Sequence, residues 1–209
     1  MAVVLATTNP GKVREYRRLF ADAGLPWPVL GLDEVGLSAP PETGTTFAAN
    51  AIIKAHAAAV GSGLPALADD SGLEVDGLGG APGVYSARYA GEGADDEANR
   101  QRLIAALGGV PPARRTGRFR CAIAVALPDG TVETVEAACE GQLLTTPRGV
   151  GGFGYDPLFL LPERGLTMAE LSLAEKNAIS HRARASALAI PVLRRLLARH
   201  APATTPTEG

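Results

Sequence analysis

Cysteine is scarce in this chain, with two residues in 209. Two thiols cannot make a disulfide framework, so the small, stapled secreted class is excluded. No stretch approaches the roughly 18 consecutive apolar residues of a membrane-spanning helix, and no membrane segment is expected. A signal-peptide pattern is also missing from the N-terminus, which makes the cytoplasm the expected location. Charge of one sign is not in excess: a net charge of −2 gives no electrostatic reason to expect nucleic acid or a membrane surface as partner. Histidine is limited to three residues, too few for a Ser/His-rich two-metal hydrolase site. The G-x-x-x-x-G-K-[ST] spacing of a P-loop is absent. Hydrophobic content of 46% and charged content of 20% fit a globular protein with a real core. The length suits one domain over residues 1–200, followed by a disordered Pro/Thr-rich tail at 201–209.

The chain is organised around Leu67-Ala68-Asp69-Asp70-Ser71-Gly72-Leu73. It reads as an apolar strand end that runs into a loop with two adjacent carboxylates. Neighbouring acids repel each other and gain nothing from a core, so a hard cation or a proton-transfer role would explain them. A solvated surface turn has the same composition. Gly72 would let the backbone turn or approach a ligand.

Upstream, the valine-rich run Ala2 to Ala6 predicts a buried strand. Val13, Tyr16, Leu19, Phe20 and Ala23 then recur at helical spacing up to Gly24. Thr8 or Asn9 can cap that helix, with Pro10 at its first position and Lys12 in its first turn. Free N–H groups, the helix dipole and Lys12 together favour an anion, most simply phosphate; an ordinary capped helix with a surface lysine is the plainer reading. Residues 25–45 read as loop with one short strand, and Glu42 sits there. A helix follows from Phe47 to Val60, its buried stripe formed by Phe47, Ala51, Ile52, Ala55 and Ala58. Asn50 and Lys54 share another face, where Lys54 is either a second phosphate cation or a solvated side chain.

Further on, Val84 to Tyr89 is a polar-aromatic segment, and Asp95 or Asp96 opens a helix to Leu107. Phe119, Cys121, Ile123, Val125 and Leu127 alternate along a strand, Asp129-Gly130 marks a hairpin, and the return strand runs from Val132 to Cys139. Cys121 and Cys139 fall nearly opposite each other, and two buried thiols are expected in place of a disulfide. Four glycines then surround Phe153, Tyr155 and Asp156, which makes Phe153 a stacking platform for a flat ligand or a plug on a loose loop. Two capping boxes follow at Thr167–Glu170 and Ser172–Glu175. A last helix runs to about His200, interrupted near Pro191. If Ser180 caps it, His181 and Arg182 place cations where the helix dipole disfavours them, which hints at a demand other than helix stability.

Six motifs in this order carry a resemblance: Thr7-Thr8-Asn9-Pro10-Gly11-Lys12; Glu42-Thr43-Gly44 with Asn50-Ala51 and Lys54-Ala55; Ala68 to Leu73; Gly79-Gly80-Ala81-Pro82-Gly83; Gly152 to Pro157; and Glu175-Lys176-Asn177 with Ser180-His181-Arg182. The sequence resembles the inosine/xanthosine triphosphate pyrophosphatases from Val3 to about Leu197. The resemblance implies an α/β fold with a long mixed sheet flanked by helices and an active cleft between two lobes. It also implies a homodimer that uses Mg²⁺ to hydrolyse non-standard purine nucleoside triphosphates (ITP, dITP, XTP) to monophosphate and pyrophosphate. Asp70 becomes the general base and a metal contact, with Asp69 in support and Glu42 as a second metal contact. Thr7, Thr8, Asn9, Pro10, Gly11, Lys12, Lys54 and Ser71 would hold the triphosphate. Phe153 would stack on the base, Gly154, Tyr155 and Asp156 would complete that wall, and Lys176, His181 and Arg182 would face the base edge. One departure from the family pattern is Ala49, where bacterial relatives often carry glutamate. Rival readings are a pyrophosphatase for modified pyrimidine nucleotides and a non-catalytic nucleotide-binding module.

Overall fold

The computed structural model describes residues 1–200; the tail expected at 201–209 lies outside the described residues. One seven-stranded mixed sheet runs through the molecule. Its central strand pair is long: β3 (Ala66–Val75) pairs antiparallel with β4 (Thr116–Ala126) along its whole length. β4 turns at Asp129-Gly130, where Gly130 takes a positive φ, into β5 (Val132–Leu143). The return strand therefore extends four residues past Cys139. β6 (Phe159–Leu161) and β7 (Leu166–Thr167) continue the sheet on that side. On the other side β1 (Val3–Leu5) runs parallel to both β3 and the edge strand β2 (Val29–Gly31). Among the described residues no helix is long and apolar enough to cross a membrane.

Alternation along β4 feeds two separate cores. Cys121, Ile123 and Val125 pack under α1 (Pro10–Asp22) and α5 (His181–His200). Ala122, Ala124 and Ala126 face α2 (Phe47–Ser62), whose own alanines allow close approach. A third core gathers at the β5–β6 end of the sheet, where α3 (Asp96–Leu107) adds Leu103 and Leu107. α4 (Leu173–Ile179) leads into α5, and Pro191 is accommodated inside α5 without ending it.

Most helix starts carry side-chain caps. Asn9 accepts from Gly11 and Lys12, Thr46 from Ala49, Asp95 from Ala98, and both capping boxes are formed. Ile52 departs from the expected stripe: it is exposed, while Ala59 joins the buried face. Cys121 and Cys139 are free, buried thiols, as expected, and burial pushes the Cys121 thiol up to about 12.

Candidate active site

The two acids at the centre do not lie on a loop. Asp69 and Asp70 are interior residues of β3, so the strand period sends them to opposite faces of the sheet. β1 ends at Leu5, whose partner is Leu67, and β3 runs on past it, leaving that edge open beside both acids. The turn that follows β1 carries Thr7 to Lys12 to this opening, at the C-terminal end of two parallel strands, a common ligand position in α/β sheets.

On the α5 face, Asp69 is buried and receives the Lys12 ammonium at 2.8 Å and the Arg182 guanidinium at 3.3 Å. Burial alone would raise its pKa, but Lys12 and Arg182 outweigh burial and hold it well below the usual carboxylate range. Arg182 also reaches Ser71 Oγ at 3.3 Å. On the α2 face, the Lys54 ammonium lies 2.8 Å from both Asp70 Oδ1 and Glu42 Oε1. Lys54 is only 7% exposed, so the solvated reading of this lysine fails. Asn50 Nδ2 donates to Asp70 Oδ2 at 3.2 Å, while Asn50 Oδ1 accepts from Gly44 N at 2.8 Å. Burial opposes the charge on both partners, with different outcomes. Burial works against Lys54, yet Asp70 and Glu42 keep its pKa raised. Burial raises Asp70, and Lys54 offsets this only in part.

Beyond Asp69 the α5 face opens into a cleft of about 520 Å³. Ser71, Phe153, Gly154, Tyr155, Asp156, Lys176, His181 and Arg182 all line it. Thr7 to Lys12, Lys54, Glu42 and Asp70 do not: Lys12 stands at the strand opening and is linked to the cleft through the Lys12–Asp69–Arg182–Ser71 chain, while Lys54, Glu42 and Asp70 lie on the far face. Phe153 is 59% exposed, with Lys176 and Arg182 over its ring at 4.7 and 5.7 Å from the centroid. Its backbone is fixed: Phe153 N donates to Asp156 Oδ2 at 2.9 Å, and Asp156 pairs with Lys176. Gly152 is required there, because a Cβ would lie 2.0 Å from that same Asp156 oxygen. The loop is therefore built, which excludes the loose-plug reading.

Two expectations need correction. His181 is not a cation: burial, then Arg182 and Lys176, lower its pKa to about 3, and its ring stacks on Phe119 at 5.0 Å. Of that pair, Arg182 alone remains a cation opposing the dipole of α5. The first turn of α1 does not offer all its N–H groups to an anion either, since Gly11 and Lys12 donate to Asn9 Oδ1 at 2.8 and 3.3 Å. The polar-aromatic segment Val84 to Tyr89 overlaps a 3₁₀ turn, Gly83–Arg88, that adds Ser86 and Ala87 to the cleft lining.

Some site residues were missed in the sequence. Ser86 is buried and ties the wall together: its Oγ accepts from Leu73 N at 2.9 Å and its carbonyl accepts from Tyr155 Oη at 2.8 Å. Arg88 approaches Glu42 at 3.7 Å. Asp96, Asn99 and Arg100 on α3 also front the cleft or its loop. The one available signal was Asn99, a polar residue in the register of Leu103 and Leu107.

Among the described residues no group of three or more His, Cys, Asp and Glu could cage a metal ion. The two carboxylates that converge on Lys54 form a sparse, all-oxygen donor set. That set fits Mg²⁺, which takes one or two carboxylates and fills its other positions with water and phosphate oxygens.

The sequence matches the Ham1 family over residues 3–191. It is 56% identical over 183 residues to the dITP/XTP pyrophosphatase of Geobacillus kaustophilus, which covers 88% of this chain and 89% of that one. The dITP/XTP pyrophosphatase of Streptomyces coelicolor is 50% identical over 196 residues, covering 93% and 98%. Among solved structures, a HAM1 protein from Coxiella burnetii superposes with a TM-score of 0.87 at 42% identity, over 93% of this chain and 99% of that one. With a matching sheet, matching length and half or more of the residues shared with its relatives, this chain belongs to the Ham1 family.

Proposed function

We propose that this protein is a nucleoside-triphosphate pyrophosphatase that hydrolyses ITP, dITP and XTP to monophosphate and pyrophosphate, with Mg²⁺ held by Asp70 and Glu42. The observation that carries the reading is Asp70: a buried carboxylate paired with Lys54 and with its pKa raised by burial, next in sequence to Asp69, whose face of the sheet opens into a cleft of about 520 Å³. Relatives at 50–56% identity described as dITP/XTP pyrophosphatases support the substrate class. The family resemblance supports a homodimer working in the cytoplasm.

Asp70 accepts a proton from the attacking water, whose oxygen bonds to phosphorus as the α–β anhydride bond breaks. A raised pKa makes it a stronger base than an ordinary carboxylate. Asn50 holds the second carboxylate oxygen in place. The Lys12 ammonium, held by Asp69, and the Lys54 ammonium, held by Asp70 and Glu42, can turn to phosphate oxygens, neutralising charge as phosphoryl transfer requires. Mg²⁺, when bound, supplies further neutralisation of the phosphates. Phe153 stacks on the base, and Arg182 and Lys176 donate to a 6-oxo group that adenine lacks.

The test is a panel of nucleoside triphosphates, assayed with and without Mg²⁺ and with products resolved as pyrophosphate or orthophosphate. ITP and XTP turnover to pyrophosphate is the expected result. Orthophosphate as product, or dUTP and dTTP turned over faster than ITP, would overturn the reading.

A further inference from the structure

α3 carries none of the six motifs, yet it grips the loop that bears Phe153. Asp96 Oδ2 accepts from Gly154 N at 2.7 Å, and Arg100 Nη1 donates to Gly154 O at 2.7 Å. Both polar backbone groups of one residue are thus held by two charged side chains, four apart on one helix. Ordinary surface pairs of this kind bond to each other or to water. Here each reaches more than fifty residues along the chain to a backbone group, and each bond is charge-assisted. Glu97 fixes the Arg100 guanidinium from its other side at 2.7 Å, leaving Arg100 18% exposed.

The target of the grip matters. The Phe153 ring is more than half exposed, so packing cannot place it and its backbone must. Asp156 holds the amide on one side of Phe153, and α3 holds the residue on the other. Between the two gripping residues sits Asn99, which is buried. It accepts from Ala90 N at 2.8 Å and donates to Ala87 O at 3.1 Å, on the facing wall of the cleft. A single turn of helix therefore ties together both walls between which a flat ligand would slide.

We propose that Asp96 and Arg100 are positioning residues that set the Phe153 platform by clamping Gly154. The proposal rests on the reading of Phe153 as the base-stacking residue, so its test needs one arm that does not. That arm is hydrogen exchange of the peptide containing Gly154. Asp96→Ala should speed exchange at the Gly154 amide by about tenfold or more, the scale of losing a charge-assisted bond, and Asp96→Asn, which keeps an acceptor, should restore most of the protection. The second arm is kinetic. Arg100→Ala should raise KM for ITP about tenfold while kcat changes less than about threefold, because the clamp positions the base and not the reacting phosphate. In a Phe153→Ala background the same Arg100 substitution should add little, since the clamp acts through the ring.

Unchanged exchange at Gly154 in both Asp96→Ala and Arg100→Ala would overturn the clamp. Faster exchange with an unchanged KM would overturn its positioning role, as would full additivity of Arg100→Ala with Phe153→Ala. A Phe153→Ala enzyme with the parental KM would sink the stacking reading and with it the role proposed for the clamp, and the exchange arm would show whether the clamp itself still forms.

Discussion

Asp69 and Asp70 are neighbours in sequence and lie on opposite faces of β3: Asp69 takes Lys12 and Arg182 under α5, and Asp70 takes Lys54 and Asn50 under α2. The strand period separates two carboxylates that would otherwise repel. It also pushes their pKa values apart, Asp69 down through its two cations despite burial and Asp70 up through burial. Such divergence fits the proposed roles of an ionised anchor and a base.

The two substitutions to asparagine should therefore differ in kind. Asp70→Asn should lower kcat by about 10²-fold or more, the scale of a lost general base, with thermal stability largely kept. Asp69→Asn leaves Arg182 and Lys12 without their buried counter-charge and should cost on the order of 3 kcal/mol. Steady-state kinetics and urea denaturation on both variants decide it; a stable, fully active Asp70→Asn enzyme would remove Asp70 from the chemistry.

Lys54 is not an isolated phosphate ligand that can be cut away freely. It is the common cation of Asp70 and Glu42, and Glu42 is partly solvated, which tempers the cost of losing it. Lys54→Ala should lose turnover and also destabilise the fold by about 2 kcal/mol. An unchanged urea midpoint would show that the pair of carboxylates tolerates its own repulsion.

The sheet and its helices were legible because their signals are local: alternation in β4, Asp129-Gly130, and caps such as Asn9 and Ser172. Asp69-Asp70-Ser71-Gly72 was misread as loop because strand propensity disfavours its two aspartates and its glycine. What holds them extended is the full-length pairing with β4, a long-range fact that composition does not carry. Gly72 is needed for space and not for a turn, since a Cβ there would lie 2.4 Å from Ser86 Oγ. The grip of α3 on Gly154 was invisible for the same reason: Asp96 and Arg100 look like any charged helix face until the loop lands on them.

His181 makes stability depend on pH. Its folded-state pKa of about 3 lies below the ordinary value near 6.5. As pH falls below 6.5 the unfolded chain takes up the proton first, so this contribution to stability is complete above about 6.5 and is lost progressively down to about 3. His181→Phe keeps a ring against Phe119, removes the unpartnered Nδ1 and cannot titrate. Urea midpoints at pH 7 and pH 4.5 should fall further in the parent than in His181→Phe. Equal falls would mean that His181 is charged or solvated in the folded protein.

Selectivity should rest on Arg182 more than on Phe153, because the two side chains do different work. Stacking on an aromatic ring contributes about 1–3 kcal/mol and accepts any base, so Phe153→Ala should weaken ITP, XTP, GTP and ATP together. Arg182 reads chemistry. Its guanidinium is buried and anchored by Asp69 and Ser71, so it cannot swing away from a mismatched base, and an amino group brought to it would leave both donors unpaired. A fixed donor facing a carbonyl should give ITP and XTP an advantage of about 10²-fold or more over ATP in kcat/KM. Arg182→Ala should shrink that ratio, but it also strips Asp69 of one of its two cations, so the variant must be compared with Asp69→Asn to separate selectivity from lost stability. If Arg182→Ala keeps the parental ITP-to-ATP ratio while kcat/KM falls for both, the residue supports the fold and does not read the base.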